Sequence, residues 1–162
     1  MRRYWGRVLT TAVLALTVGA GTTFAGLTPA YASCPGCISH FTTTIPVGGG
    51  PGAVAFTPDG SRSYVAHGGD NTVSVIKLST NTVVGTILVG RNSFGLAFSP
   101  DGAKADVSNA GDNTVSGINV ANDTVVATSP VGQHPIGVTF IPNGTKAYVA
   151  NSGDNTVTVI TS

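Results

Sequence analysis

The sequence predicts an all-β fold assembled from three copies of one 42-residue unit. Two turn motifs carry this prediction, because each recurs three times at the same spacing. One is Pro-Asp-Gly or Pro-Asn-Gly and the other is Gly-Asp-Asn-Thr-Val; they begin at Pro58, Pro100 and Pro142, and at Gly69, Gly111 and Gly153. No window of the repeated region shows the apolar periodicity of a helix.

Each unit predicts four short strands separated by turns. In the first unit Pro58 presets φ for a tight turn, and Gly60 supplies the left-handed position that closes a hairpin. The strands predicted there span residues 52–57, 62–66, 72–77 and 82–87. Four antiparallel strands per ~40 residues are typical of a propeller blade. We therefore expect an all-β β-propeller built from three 42-residue four-stranded blades, as a partial ring or as half of an oligomeric ring.

The composition fits this architecture. Charged residues make up 9% of the chain, against ~25% in ordinary globular proteins. Blades stacked face to face bury both sides of each sheet, so that strands such as residues 82–87 become nearly continuous apolar runs. Residues 33–162 carry five basic and seven acidic side chains and no Glu. A near-neutral chain this poor in Lys and Arg offers no phosphate-binding stripe, which argues against nucleic acid as a partner.

The first 32 residues differ from the rest and predict a signal peptide, residues 1–32. Three Arg residues stand within the first seven positions, and residues 8–20 are almost entirely apolar or small. Ala30-Tyr31-Ala32 then supplies the small-x-small pattern of a cleavage site. The apolar stretch is shorter than the ~20 residues that a spanning helix needs; the alternative is an uncleaved anchor. We expect a secreted or cell-surface protein with no membrane span after cleavage.

A short tail, residues 33–37, contains both cysteines, Cys34 and Cys37. A Cys-x-x-Cys pair can be a redox dithiol or half of a metal site. This one lacks a second Cys pair and the strand–helix context of thioredoxins, so in an exported protein we expect a small terminal disulfide or an oxidised tail. Residues 38–162 then form the three-blade repeat domain.

The third unit resembles a known repeat family. Its segment Tyr148-Val149-Ala150-Asn151-Ser152-Gly153-Asp154-Asn155-Thr156-Val157 is similar to the YVTN family of β-propeller repeats, and Tyr64-Val65-Ala66-His67 stands at the same place in the first unit. The resemblance covers about residues 37–162 and implies a propeller of exported or cell-surface proteins, without selecting a reaction. The middle unit departs from the pattern, since Asp106 replaces the Tyr and Gly117 replaces a Val. A carboxylate in such a strand position is costly unless it is solvated or paired.

Three blades are too few for a closed ring, since propellers close with roughly four to eight. Large exposed apolar faces usually mark an interface. A fourth-type strand predicted at residues 40–45 opens the repeats, whereas the last unit stops after its third strand. Two copies are therefore expected to close a six-bladed ring in which each first strand completes the other chain's last blade. The alternative is a truncated propeller fragment without independent function.

Polar residues at two loop types mark the expected ligand face. His67, Asn109 and Asn151 fall at equivalent positions at the end of each second strand, and Arg91 and His134 stand in the variable loop before a first strand. Strand alternation places both loop types at the same end of the propeller. Loops commonly carry recognition, so we predict these five residues as ligand-face candidates for an unidentified protein or carbohydrate. The alternative is solvated loops with no ligand.

Little in the sequence indicates catalysis. The chain has no Gly-x-Ser-x-Gly elbow and no His cluster at metal-ligand spacing. The Asp residues of the repeated turns, and Asp123, which aligns with Asn81, are interpreted as turn residues. We expect no catalytic residue, metal or cofactor, and favour an exported non-catalytic module for binding or cell-surface structure. The alternative is a lactonase-like propeller hydrolase, which would need a metal held by acidic and amide side chains at the ring axis.

Overall fold

The computed structural model describes residues 43–161, and this part of the chain forms eleven β-strands and no helix. It therefore contains no helix long and apolar enough to cross a membrane. The predicted signal peptide, the tail with Cys34 and Cys37, and the domain boundary at residue 38 lie outside the described residues. The strands are β1 Pro51–Phe56, β2 Arg62–His67, β3 Thr72–Lys77, β4 Thr82–Leu88, β5 Ser93–Phe98, β6 Lys104–Asn109, β7 Thr114–Asn119, β8 Thr124–Pro130, β9 Pro135–Phe140, β10 Lys146–Asn151 and β11 Thr156–Thr161.

The strands form three antiparallel sheets, one for each sequence repeat. Sheet A has the order β1-β2-β3-β4 and sheet B the order β5-β6-β7-β8, whereas sheet C contains only β9, β10 and β11. Each strand predicted in the first unit is present within one residue of its expected bounds. The all-β prediction and the 42-residue period are therefore confirmed.

The turns form as the sequence predicts. Gly60 adopts a φ of +68° in the Pro-Asp-Gly hairpin, and the backbone N–H of Ser61 donates to Asp59 Oδ1 at 3.0 Å. The Asn of each Gly-Asp-Asn motif is in the left-handed region, with φ of 58° at Asn71 and 55° at Asn113. Asn tolerates this conformation better than most residues because its side chain bonds the local backbone.

The core lies between sheets rather than within one. We call the side of each sheet that carries Tyr64, Val73 and Val75, or their equivalents, its forward face, and the opposite side its rear face. The forward face of sheet A packs on the rear face of sheet B, and the rings of Tyr64 and Phe98 meet edge to face with centroids 4.9 Å apart. The buried residues of this core are Tyr64, Ala66, Val73, Val75, Ile87, Leu96, Ala105, Val107, Ile118 and Val120.

The same stacking continues into sheet C, where β9 contacts β5 and β6 as β5 contacts β1 and β2. One prediction differs from the structure. Residues 43–45, the described part of the strand expected at 40–45, form no strand. Their equivalents, residues 85–87 in β4 and 127–129 in β8, each pair with the third strand of the same sheet, β3 or β7. Among the described residues no sheet precedes sheet A, so this segment has no edge with which to pair.

Candidate functional site

The three residues predicted at the strand ends are buried. His67, Asn109 and Asn151 are 0%, 0% and 2% exposed. Each bonds a hydroxyl on the neighbouring strand: His67 Nε2 lies 2.8 Å from Ser74 Oγ, and Asn109 Nδ2 donates to Ser116 Oγ at 2.9 Å. Burial lowers the pKa of the His67 imidazole, which favours its neutral form.

A glycine of the connecting segment covers each of these side chains. A Cβ added to Gly90 would lie 2.6 Å from Asn109 Cγ, and one added to Gly132 would lie 2.5 Å from Asn151 Nδ2. His67 Nδ1, Asn109 Oδ1 and Asn151 Oδ1 are buried beneath these segments without a hydrogen-bond partner among the described residues. These side chains therefore support the connector, and their role in binding a ligand stays a prediction.

The connectors place the other two candidates on the surface. Arg91 and His134 are exposed. The backbone N–H of Arg91 donates to Asp112 Oδ2 at 2.7 Å and its Nε donates to Oδ1 of the same carboxylate at 2.6 Å. These bonds hold the pKa of Asp112 below its usual range. The β2–β3-type turns and the connectors thus meet at one end of the sheets, as predicted.

The same end carries a repeated bond between successive sheets. Asn71 Oδ1, in sheet A, accepts from the backbone N–H of Asn92, in the connector to sheet B, at 2.9 Å. Asn113 Oδ1 accepts from the backbone N–H of His134 in the same way, also at 2.9 Å. The first two Gly-Asp-Asn turns therefore each fix the connector of their own sheet through Asp and that of the next sheet through Asn.

A clamp formed by Arg62, Tyr64, Val120 and Asp123 joins sheets A and B at the opposite end. Arg62 Nη1 lies 3.0 Å from Asp123 Oδ1, and Arg62 Nη2 donates to the carbonyl of Val120 at 2.7 Å. The Tyr64 hydroxyl also donates to Asp123. Burial and this carboxylate raise the pKa of Tyr64. Asp123 does occupy a turn, with φ of 55°. Its ion pair was not predicted from the sequence, because its partners stand about sixty residues earlier.

Asp106 occupies the place of Tyr64 in sheet B. It is 7% exposed and borders a cavity of about 160 Å³ that is also lined by Gly117, Ala127 and Ile160. Burial raises the pKa of its carboxyl to about 6, against a smaller lowering by Lys104. The strand itself is intact, since β6 pairs with β7 from Lys104 to Asn109. The substitution thus leaves a cavity between sheets B and C and does not disrupt the strand.

The forward face of sheet C is open. Tyr148, Val157 and Val159 are 39%, 61% and 46% exposed, whereas Tyr64, Val73 and Val75, their equivalents in sheet A, are fully buried. An apolar hollow of about 530 Å³ lies on this face, lined by Gly137, Val138, Thr139, Tyr148, Ala150 and Val157.

The rear face of sheet A also exposes apolar side chains. Val54 and Phe56 are 58% and 60% exposed, whereas Leu96, the equivalent of Val54 in sheet B, is 9% exposed. Phe98, the equivalent of Phe56, is partly buried against the core. The neighbouring apolar side chains of this rear face, Val65 on β2 and Ile76 on β3, are 7% and 4% exposed. The apolar surface that sheet A leaves open is therefore that of β1.

Residues 43–161 contain no group of three His, Cys, Asp or Glu side chains placed to hold a metal ion.

Comparison with known proteins places the fold. No family model and no curated protein matches the chain. Solved structures similar to it include Kuenenia stuttgartiensis hydrazine synthase (TM-score 0.68, 30% identity, 78% of this chain and 36% of that chain). They also include a functionally unknown protein from Desulfotomaculum acetoxidans (0.62, 20%, 74% and 44%) and a candidate 6-phosphogluconolactonase from Bacteroides fragilis (0.63, 24%, 68% and 34%).

These structures establish an all-β, propeller-type fold for the chain. The chain spans between a third and a half of the length of each of the three. The likeness therefore concerns only part of each of these structures.

Proposed function

We propose that this chain is an exported, non-catalytic interaction module of the YVTN type, with three propeller blades whose two end faces are completed by further sheets. The observation that supports it most is the change in exposure along the repeat. Val73, in sheet A, is fully buried and Val115, in sheet B, is 2% exposed, whereas Val157, their equivalent in sheet C, is 61% exposed.

The energetics favour completion of both ends. Burying a Val or Phe side chain contributes about 1.5–3 kcal/mol relative to leaving it in water. Tyr148, Val157 and Val159 lie together on one face, and Val54 and Phe56 lie on the other. Soluble proteins rarely expose large contiguous apolar patches unless these bind something. A further sheet on each end would bury them as Tyr64 and Val73 are buried.

Export and ligand recognition form the second part of the proposal. The basic leader, the apolar stretch and the Ala30-Tyr31-Ala32 pattern support secretion. Arg91 and His134 project at the end of the sheets where the connectors meet, and would be the first side chains that a protein or carbohydrate ligand contacts. No specific observation favours the hydrolase alternative, since the likeness to the candidate lactonase, at 24% identity, is one of fold.

Substitution of Val157 tests whether its face is covered. If a further sheet packs there, Val157→Ser should lower the free energy of unfolding by about 2 kcal/mol or more, since it removes buried apolar atoms and buries a hydroxyl. If the face is solvated, the change should stay within about 0.5 kcal/mol. Denaturant unfolding of the full chain measures the difference.

Val84→Ser is the matched control. Val84 is 56% exposed and Val126, its equivalent in sheet B, is 63% exposed, so this position faces solvent even where both neighbouring sheets are present. Its substitution should have little effect on stability. An equally small effect of Val157→Ser would reject the interaction module.

A further inference from the structure

We propose that the sheets completing both ends are supplied by a second copy of this chain, arranged head to tail. The forward face of sheet C in each chain packs against the exposed β1 part of the rear face of sheet A, at Val54 and Phe56, in the other. This inference rests on the proposed function, because it names the partner of the same two end faces. Three sets of contacts between sheets A and B support it. In each set, the residues that sheet A contributes have equivalents on sheet C, and the residues that sheet B contributes have equivalents on sheet A.

The apolar side chains of the contact between sheets A and B have equivalents on the two end faces. Inside the chain, Tyr64 on a forward face meets Phe98 on the next rear face, with ring centroids 4.9 Å apart. At the ends, Tyr148 occupies the position of Tyr64 and Phe56 the position of Phe98, and both rings are exposed, by 39% and 60%. A second copy would place Phe56 of one chain over Tyr148 of the other and fill the apolar hollow beside Tyr148.

The polar halves at the connector end match as well. The Asn71 and Asn113 side chains each accept from a backbone N–H in the next connector, at Asn92 and His134. The remaining acceptor of this kind is Asn155, on sheet C, and the remaining donor is the backbone N–H of Gly50, before sheet A. Gly50 has φ of 66°, close to the 52° of Asn92 and 51° of His134, so its N–H is held in the same local conformation.

The clamp at the opposite end supplies the third set. Arg62 and Tyr64 of sheet A bond the carbonyl of Val120 and the Asp123 carboxylate in sheet B. In sheet C the same two positions hold Lys146 and Tyr148. In sheet A the acceptor positions hold Leu78 and Asn81, and Asn81 has φ of 52° against 55° for Asp123. A Lys ammonium can donate to a carbonyl, and a Tyr hydroxyl can donate to an amide oxygen.

The strand count indicates the same arrangement. Among the described residues, sheet C ends at β11, whose equivalent in sheet A, β3, pairs on its outer edge with β4. Residues 44–48, Thr-Ile-Pro-Val-Gly, repeat the end of β4 and the start of its connector, Thr-Ile-Leu-Val-Gly at 86–90. In a head-to-tail pair this segment would lie beside β11 of the other chain. It would then supply the fourth strand of that chain's sheet C by β-augmentation.

Two copies are the number that fits. Propellers close with roughly four to eight blades; two chains give six sheets, whereas three chains give nine. A pair that instead joined forward face to forward face would set Tyr148 against Tyr148 and Asn155 against Asn155. It would leave Phe56 in water and would match no acceptor with a donor.

Mixing two variants tests the head-to-tail contact. Phe56→Asp alters only the rear face, and Tyr148→Lys alters only the forward face. A pair of identical variant chains carries the defect at both contacts. A mixed pair has one wholly native contact and a second at which the new carboxylate faces the new ammonium. The molar mass of the full chain is measured by light scattering at matched concentration, with Val84→Asp as the solvent-facing control.

We expect the unsubstituted chain and Val84→Asp to have twice the mass of one chain. Each end-face variant alone should have the mass of one chain, and the mixture of the two should again have twice that mass. Circular dichroism checks that both variants keep their strands. If either charged variant aggregates, Phe56→Ser and Tyr148→Ser replace the charged pair. Each of these should dissociate into single chains at a higher concentration than the unsubstituted protein does.

Three results would overturn the inference: a single-chain mass for the unsubstituted protein, a dimer that survives Phe56→Asp, or a mixture that stays at the mass of one chain. The first is read together with Val157→Ser. A monomer in which that change is costly rejects the second copy and leaves the interaction module standing. A monomer in which it is harmless rejects both.

Discussion

Asp106 is the residue at which the repeat departs most from its own pattern. Its equivalents are Tyr64, which fills the space between sheets A and B, and Tyr148 on the open face of sheet C. With a short carboxylate here and Gly117 beside it, sheets B and C enclose a cavity of about 160 Å³. The sequence predicted a cost for this carboxylate. The structure shows that the cost takes the form of a raised pKa rather than a broken strand.

The first prediction concerns the pH dependence of stability. Burial raises the pKa of Asp106 from 3.8 to about 6, so between these values the folded protein holds the proton more tightly than the unfolded chain. The contribution of Asp106 to the free energy of unfolding should therefore fall as pH rises from about 4 to about 6, by on the order of 3 kcal/mol, and level off above. Urea unfolding at a series of pH values measures this.

Asp106→Asn provides the control, since its side chain does not titrate. The difference between the two proteins isolates Asp106 from His67, whose pKa is lowered by burial and whose titration gives a slope of the opposite sign. A difference that stays constant across the range, or that shows Asp106 gaining stability as pH rises, would contradict the assignment.

At this scale the sequence predicted the turn residues better than the ligand face. Gly60 adopts the left-handed conformation expected of it, and Asn71 and Asn113 lie in the turns predicted for their motif, because backbone strain restricts which residues fit. His67 and Asn109 were expected at a surface and are buried, because their burial depends on a connector that folds back over them. The sequence does contain a sign of this burial. A Val-Gly pair precedes the first strand of every unit, and a Ser or Thr follows seven residues after the end of the second strand, which indicates a structural role for the residue at that end.

At the scale of the element, the connectors join one sheet to the next and depend on close backbone approach. In the Val-Gly pair before each first strand, the glycine lies directly on the buried Asn or His of the same sheet. The sequence predicted strands β1 to β4 within one residue, because turn residues bound them. It could not predict this contact, because the two groups lie about twenty residues apart and meet only when the sheet forms.

The second prediction concerns Gly90. A Cβ at this position would lie 2.6–2.8 Å from three atoms of Asn109, which is buried and hydrogen-bonded. Gly90→Ala should therefore lower the free energy of unfolding by about 1–3 kcal/mol, as overpacking does in other cores. Denaturant unfolding measures the change.

Gly85→Ala is its control, because a Cβ there would lie 3.7 Å from Val75 and the equivalent position, Ala127, already carries one. It should be neutral or slightly stabilising. Equal effects of the two substitutions would show that the close approach at Gly90 does not matter.

At the scale of the whole molecule, the repeat explains both the low charge and the open ends. Sheet B buries both faces against its neighbours, and apart from Asp106 the charged side chains of the described residues lie in turns, connectors and at strand ends. The period was enough to predict three stacked sheets. It could not show which residues meet between the sheets, such as Tyr64 with Phe98 or Arg62 with Asp123. The repeat shows which positions are equivalent, but it does not show which position of one sheet faces which position of the next.

Hydrogen exchange of β11 tests the central claim, that another chain completes sheet C. In the single chain β11 is an edge strand like β8, and alternate amides point away from β10. If another chain supplies the missing strand, β11 becomes an inner strand like β7. Mass spectrometry of the full chain should then find the Thr156–Thr161 amides protected as fully as those of β7. Exchange in which half of these amides are as fast as the outer amides of β8 would contradict the account.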